Sequence, residues 1–214
     1  MGSLASQLPA RQAAFLPYEV RTLDNGLQVV VVMHHEQPAV NLRLMVGVGA
    51  AVDPIGKKGV ASLTGQLLDQ GTTTRTASEI AESIDTVGGL LSVGAGSDLS
   101  FVNALVMTDS FEFGVELVGD IARNPSFAPE EIERQRQQVL SGLQVSYDDP
   151  AYLAGIVFGR LVYGDHPYGL PATGTPESVR AISRADLRAF HETHYAPNNA
   201  LLAIVGDIEA SAAF

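Results

Sequence analysis

The apolar residues of this chain repeat every second position, then every third or fourth, then every second again, and that alternation most limits the fold. Over residues 39–48, Val40, Leu42, Leu44, Val46 and Val48 stand against Asn41, Arg43 and Gly47, the pattern of a half-buried strand. Residues 27–33 form another strand, and Asn25-Gly26 before it supplies the two positive-φ residues of a type I′ hairpin turn. After a glycine-rich loop, 49–59, the period turns helical over 60–69. Val60, Leu63, Thr64, Leu67 and Leu68 share one face, while Ser62, Gly65, Gln66 and Asp69 share the other. Thr76 and Glu79 have capping-box spacing, and Gly88-Gly89 closes the helix they start. Two strands follow, 90–93 and 99–107, and then helices over 108–123, 129–147, 151–162 and 183–194. A last strand covers 199–205. Three strands at the start point to a largely antiparallel sheet. The order as a whole predicts an α+β fold with that sheet covered by stacked helices.

Composition removes several classes of function. The 214 residues carry 24 acidic and 13 basic side chains, a formal net charge of −11, which opposes binding to a phosphate backbone; nucleic acid is excluded as a partner. Apolar residues make up 46% and charged ones 17%, enough to bury a core. There is no cysteine, so any metal would need His and carboxylate ligands. The longest apolar runs, 29–33 and 200–205, are far below the ~20 residues of a membrane-spanning helix. Residues 1–16 read as a tail or expression scar without a signal peptide. The last residues stop soon after a strand, so 17–214 is expected to be a single domain cut from a longer, two-domain chain.

Candidate chemistry is sparse. Of the five histidines, His191 and His194 are spaced i, i+3 and can share a helix face; they are the alternative metal ligands, without a third partner in view. At a helix end both also suit the dipole. His34 and His35 point to opposite sides of an extended segment. Gly56-Lys57-Lys58-Gly59 lacks the Ser or Thr of a phosphate loop, and no Gly-x-Ser-x-Gly occurs. Glu130-Glu131 and Asp148-Asp149 sit at helix ends as solvated pairs.

The stretch Gly59-Val60-Ala61-Ser62-Leu63-Thr64-Gly65-Gln66-Leu67-Leu68-Asp69-Gln70-Gly71-Thr72 resembles the helix that bears the inverted zinc motif His-x-x-Glu-His in the insulinase-like and processing-peptidase-like metallopeptidases, family M16. The likeness continues through Leu23–Leu27, Asp53–Gly59, His166-Pro167-Tyr168-Gly169, Gly174-Thr175, Tyr195–Ala200 and Val205-Gly206-Asp207, and spans roughly residues 17–207. It implies the metalloenzyme fold shared by LuxS and the processing peptidases. Where the family has His, Glu and His, this chain has Ser62, Gly65 and Gln66, and the third ligand, a glutamate, falls at Gly142 or, second in order, Ser141. The resemblance therefore implies a vestigial site with no zinc cofactor. Restoring Ser62→His, Gly65→Glu, Gln66→His and Gly142→Glu together is expected to rebuild zinc binding. His166 and Tyr168 are the substrate-cleft candidates, with a plain loop hydrogen bond as the other reading of His166.

By the same resemblance the chain is expected to be a non-catalytic subunit or domain. Its partner would be a catalytic M16 paralogue in a heterodimer, and the pair would enclose a peptide substrate. An exported place, the bacterial periplasm or envelope, is implied as well. The alternative is a structural, core-type subunit of a larger complex with no part in proteolysis.

Overall fold

A computed structural model describes residues 16–214, so all of the expected tail but Leu16 lies outside the described residues. Six strands form one sheet: β1 (Tyr18–Thr22), β2 (Gln28–Met33), β3 (Ala39–Val46), β4 (Leu90–Ala95), β5 (Ser100–Met107) and β6 (Ala200–Gly206). The helices are α1 (Val60–Leu67), α2 (Ala77–Thr86), α3 (Phe111–Arg123), α4 (Pro129–Tyr147), α5 (Pro150–Tyr163), α6 (Pro176–Ala181), α7 (Arg184–His194) and a terminal turn, α8 (Ala210–Ala213). None of the helices among the described residues is long and apolar enough to cross a membrane. The α+β class and the mostly antiparallel sheet are as the sequence predicts.

Two local expectations change. The β1–β2 connection is not a two-residue type I′ turn: Gly26 N–H donates to the Leu23 carbonyl at 2.8 Å, and of the turn residues only Gly26 takes a positive φ, 88°. Asn25 closes the loop with its side chain instead, its Oδ1 accepting from Leu27 N–H at 3.1 Å. The segment 108–110 is a 3₁₀ turn that delays α3 to Phe111. The α2 capping box forms as read, Thr76 Oγ1 accepting from Glu79 N–H and Glu79 accepting from Thr76 N–H. The short helix α6 escapes the period because six residues make too few turns to show one, although Thr175 and Ser178 cap it as a box.

Strand order is β1-β2-β6-β3-β5-β4, so the first three strands are not consecutive neighbours. The final strand β6 inserts between β2 and β3, parallel to the former and antiparallel to the latter. Its near-continuous apolar run, Ala-Leu-Leu-Ala-Ile-Val-Gly, suits an interior position.

All the strand residues that pack into the two hydrophobic clusters lie on one face of the sheet, among them Val31, Leu42, Val102 and Ile204, which are at most 1% exposed. Against them lie Leu68, Ile80, Leu117 and Ile121 from the helices. Burial of each such side chain stabilises the fold by about 1.5–3 kcal/mol. A second cluster joins α1 to α7 through Leu63, Leu67, Leu187 and Phe190. Helices α1, α2 and α3 thus pack on one face of the sheet, and α4 and α7 pack in turn on α1.

Candidate functional site

Helix α1 starts where Asp53 makes it start. The Asp53 carboxylate, buried at the loop before the helix, accepts from Gly59 N–H at 2.7 Å and Ala61 N–H at 2.9 Å, satisfying donors that a helix N-terminus leaves free. Burial raises its pKa and outweighs those two hydrogen bonds and the nearby Lys58. The Asp53–Gly59 stretch thereby aims α1 across the inner face of the sheet at β4.

The polar face of α1 is largely withdrawn from solvent. Ser62 is 6% exposed, Gly65 is buried and Gln66 is half-buried. A Cβ at Gly65 would stand 2.7 Å from the Gly94 carbonyl carbon and 2.8 Å from Ala95 N, so glycine is what lets α1 lie against β4. Beside it the polar groups satisfy one another. Gln66 Nε2 donates to Ser62 Oγ at 3.1 Å, and Gln135 Nε2 on α4 donates to Gln66 Oε1 at 2.8 Å. Gln66 and Gly142 line one cleft of about 500 Å³ between α1 and α4, together with Gln135, Gln138, Ser146 and Thr173. Ser141 lines a different depression with Arg136 and Asp148, so of the two α4 candidates Gly142 is the one that faces α1. A Cβ at Gly142 would meet nothing within 4 Å. The arrangement unites Gln66 and Gly142 and brings in Gln135 and Gln138. Those two lie one helical repeat and one turn before Gly142 on α4, a spacing that could have marked them.

His166 and Tyr168 serve a loop. His166 Nδ1 accepts from Tyr168 N–H at 3.3 Å, and their rings meet edge to face at 4.8 Å. The Tyr168 hydroxyl donates to the Asp98 carboxylate at 2.6 and 2.7 Å, which raises the phenol's pKa and ties the segment after α5 to the β4–β5 turn. Tyr168 borders a groove along α5 that meets the α1–α4 cleft only at Tyr152.

His191 and His194 are engaged separately. The His191 Nε2–H donates to the Ala122 carbonyl at 2.8 Å, and its ring stacks on Tyr195 and meets Phe127 edge-on. His194 packs on Phe190, ring centroids 4.8 Å apart. Among the described residues no group of three or more His, Cys, Asp or Glu side chains is placed to hold a metal ion. Burial lowers the His191 pKa, and the neutral ring is the form the fold prefers. The unfolded chain therefore binds more protons than the native one once the pH falls below about 6.5, and stability drops with pH there. Thermal unfolding at pH 7.5 and pH 5 is expected to show a smaller acid loss in His191→Gln than in the parent; an equal loss would contradict this assignment.

Comparison with known proteins shows the family and the fold. Residues 28–161 match the model of the insulinase family, peptidase family M16, and residues 181–214 match the model of the peptidase M16 inactive domain. An uncharacterized zinc protease of Mycobacterium leprae is 35% identical over 188 residues, which cover 88% of this chain and 42% of that protein. Among solved structures, a peptidase M16 inactive domain from Pseudomonas fluorescens superposes with a TM-score of 0.88 at 29% identity, over 92% of this chain and 48% of that one. A protease from Helicobacter pylori follows with a TM-score of 0.86, and at 24% identity that likeness speaks for the fold. It extends over 92% of this chain and 48% of the other. The chain spans a little under half the length of these relatives. With its sheet, its α1–α4 cleft and the family match over 28–161, the chain belongs to the insulinase family of peptidases, M16.

Proposed function

We propose that this chain is a zinc-less, non-catalytic member of the family that helps an active M16 paralogue enclose and bind peptide. The observation that carries the reading is the closed polar ladder Ser62–Gln66–Gln135 beside a glycine wedged on β4. Zinc takes imidazole, thiolate or carboxylate ligands, and a catalytic site adds a base for the bound water. Ser62, Gly65, Gln66 and Gly142 supply none of these, and Gly65 has no room for a base. The residues present do not fit the metal. The sequence contains no His-x-x-Glu-His anywhere. The P. fluorescens neighbour, described as an inactive domain, is compatible with the same reading, whereas the inactive-domain model matches only residues 181–214, outside the candidate site, and the mycobacterial relative described as a zinc protease is more than twice as long.

A partner role suits the architecture. Strand β4 lies at an edge of the sheet next to α1, where an extended peptide can add as a further strand. The test is zinc content after equilibration with added zinc, together with hydrolysis of an unfolded polypeptide by the chain alone and with a His-x-x-Glu-His paralogue from the same genome. The expected result is zinc far below one per chain, no hydrolysis alone, and faster hydrolysis by the paralogue when the chain is added. Stoichiometric zinc with activity of the chain alone would overturn the proposal. A paralogue indifferent to the chain would favour the structural-subunit alternative.

A further inference from the structure

Among the described residues, no Asp, Glu, Lys, Arg or His lines the cleft between α1 and α4, although the chain has a net charge of −11. Amides and hydroxyls line it instead, from Gln66, Gln135, Gln138, Ser146 and Thr173, together with the buried Leu143. The charges that adjoin it are engaged with other groups. Asp69, just past α1, accepts from Gln70 Nε2 at 2.5 Å, and Arg134, beside Gln135, pairs with Glu131 at 2.7 Å.

The amides are matched inward and open outward. Ser62, Gln66 and Gln135 bond one another, but Gln135 Oε1 accepts from no described residue. Gln138, one turn further along α4 and exposed, makes no side-chain hydrogen bond with any described residue. Beside them Gly142 adds no side chain, and a Cβ there would meet nothing within 4 Å, so the cleft keeps room for a group from outside.

The free edge of β4 leads to this cleft. Strand β4 ends the sheet and pairs with β5. Gly65 abuts Gly94 and Ala95 of β4, and Gln66 is the next residue of α1. Leu91, Val93 and Ala95 stand opposite Ala104, Val102 and Ser100, which are at most 1% exposed on the helix-covered face. A strand added to β4 alternates its side chains in the same way, so every second one turns toward that face. At the level of Gly94 and Ala95 it turns toward α1 and the cleft.

We propose that the α1–α4 cleft takes an uncharged carboxamide side chain, Gln or Asn, from a peptide that lies as an added strand on the edge of β4. The chemistry of the lining selects it. A charged side chain would give up its hydration with no opposite charge to meet it. An aliphatic one would cover Gln135 Oε1 and the Gln138 amide and leave them without water or partner. A carboxamide brings a donor and an acceptor together and answers both. The proposal rests on the reading of the chain as a peptide-binding partner and adds the side chain that this binding prefers.

The experiment is isothermal titration of the chain with four acetylated, amidated peptides. They are identical but for a central Gln, Glu, Lys or Leu, with Val on either side and Ser-Gly ends. The Gln peptide is expected to bind about fivefold more tightly than the Leu peptide, the scale of one net hydrogen bond, and more tightly than the Glu and Lys peptides. In Gly142→Leu, which fills the cleft from an open position, the Gln and Leu peptides become equal while binding along β4 persists. In Gln138→Glu the Lys peptide becomes the tightest. Gly142 and Gln138 are exposed, so both variants are expected to fold, which circular dichroism checks. Equal binding of the Gln and Leu peptides by the parent chain, or a Gln preference that survives Gly142→Leu, would overturn this inference and leave the broader partner reading intact. Binding of none of the four would overturn it as well, and the fate of the partner reading would then be read from the paralogue assay alone.

Discussion

Gly65→Ala is expected to lower the unfolding free energy by about 2–3 kcal/mol, the range of overpacking in a well-filled interior. Alanine is the better helix former by about 1 kcal/mol, so propensity alone predicts the opposite sign. The steric argument wins because the atoms in the way, the Gly94 carbonyl carbon and Ala95 N, belong to the backbone of β4 and cannot rotate aside. Urea denaturation with a midpoint at or above that of the parent would refute it. The same contact revises the expectation that four substitutions rebuild a zinc site. Gly142→Glu has open space and Gln66→His faces the cleft, but Gly65→Glu must first push α1 off β4. The combined variant is therefore expected to lose stability by at least as much as Gly65→Ala and to hold no stoichiometric zinc.

Asp120→Asn is the other substitution with a large expected effect. Asp120, 6% exposed on α3, accepts from Thr72 Oγ1 at 2.8 Å, Thr74 Oγ1 at 2.9 Å, Arg75 Nη1 at 2.8 Å and Asn124 Nδ2 at 2.9 Å. These contacts hold the loop that follows α1 against α3. Replacement by the amide leaves the Arg75 charge half-answered, by Glu116 alone, and turns one acceptor into a donor facing donors. The cost is expected at about 2–4 kcal/mol. The pH dependence follows from the same geometry. Burial raises the Asp120 pKa, but the four hydrogen bonds together outweigh it, and the net shift is downward from 3.8. A carboxylate with a depressed native pKa stabilises fully above its unfolded value, and that contribution is lost as the pH falls below it. Denaturation between pH 7 and pH 3 should show the parent losing stability below about pH 4, with a shallower loss in Asp120→Asn. Parallel curves would refute the assignment.

Individual elements were legible in the sequence to different depths. Helix α4 begins at Pro129 and ends at Tyr147 as read, because a proline at the first helical position and two glutamates near the positive end are local signals. The capping box of α2 is local too, formed between residues three apart. The turn at Asn25-Gly26 was half legible: glycine takes the positive φ, but the connection lengthens so that the Asn25 side chain closes it. At the candidate site, Ser62, Gly65, Gln66 and Gly142 could be singled out by resemblance, whereas Gln135 gains meaning only once α4 lies across α1. The pair His191 and His194 shows the limit of spacing. Two imidazoles at i, i+3 suggest a shared ligand, yet the Ala122 carbonyl and the Phe190 ring claim them one by one.

The sequence by itself determined which segments become strands and helices and where most of them start. Periodicity and capping act over a few residues, and the unfolded chain already carries them. Only the tertiary structure decided that β6 enters the middle of the sheet, that β4 and α4 close around most of the polar side of α1, and that helices cover one sheet face and not the other. Strands such as β5 offer apolar residues at both parities, Val102 and Val106 inward and Leu105 and Met107 outward. A two-residue period cannot say which face is covered. That choice belongs to contacts between residues far apart in sequence, the Gly65–Gly94 approach and the β2–β6 pairing among them, which exist only once the chain has closed on itself.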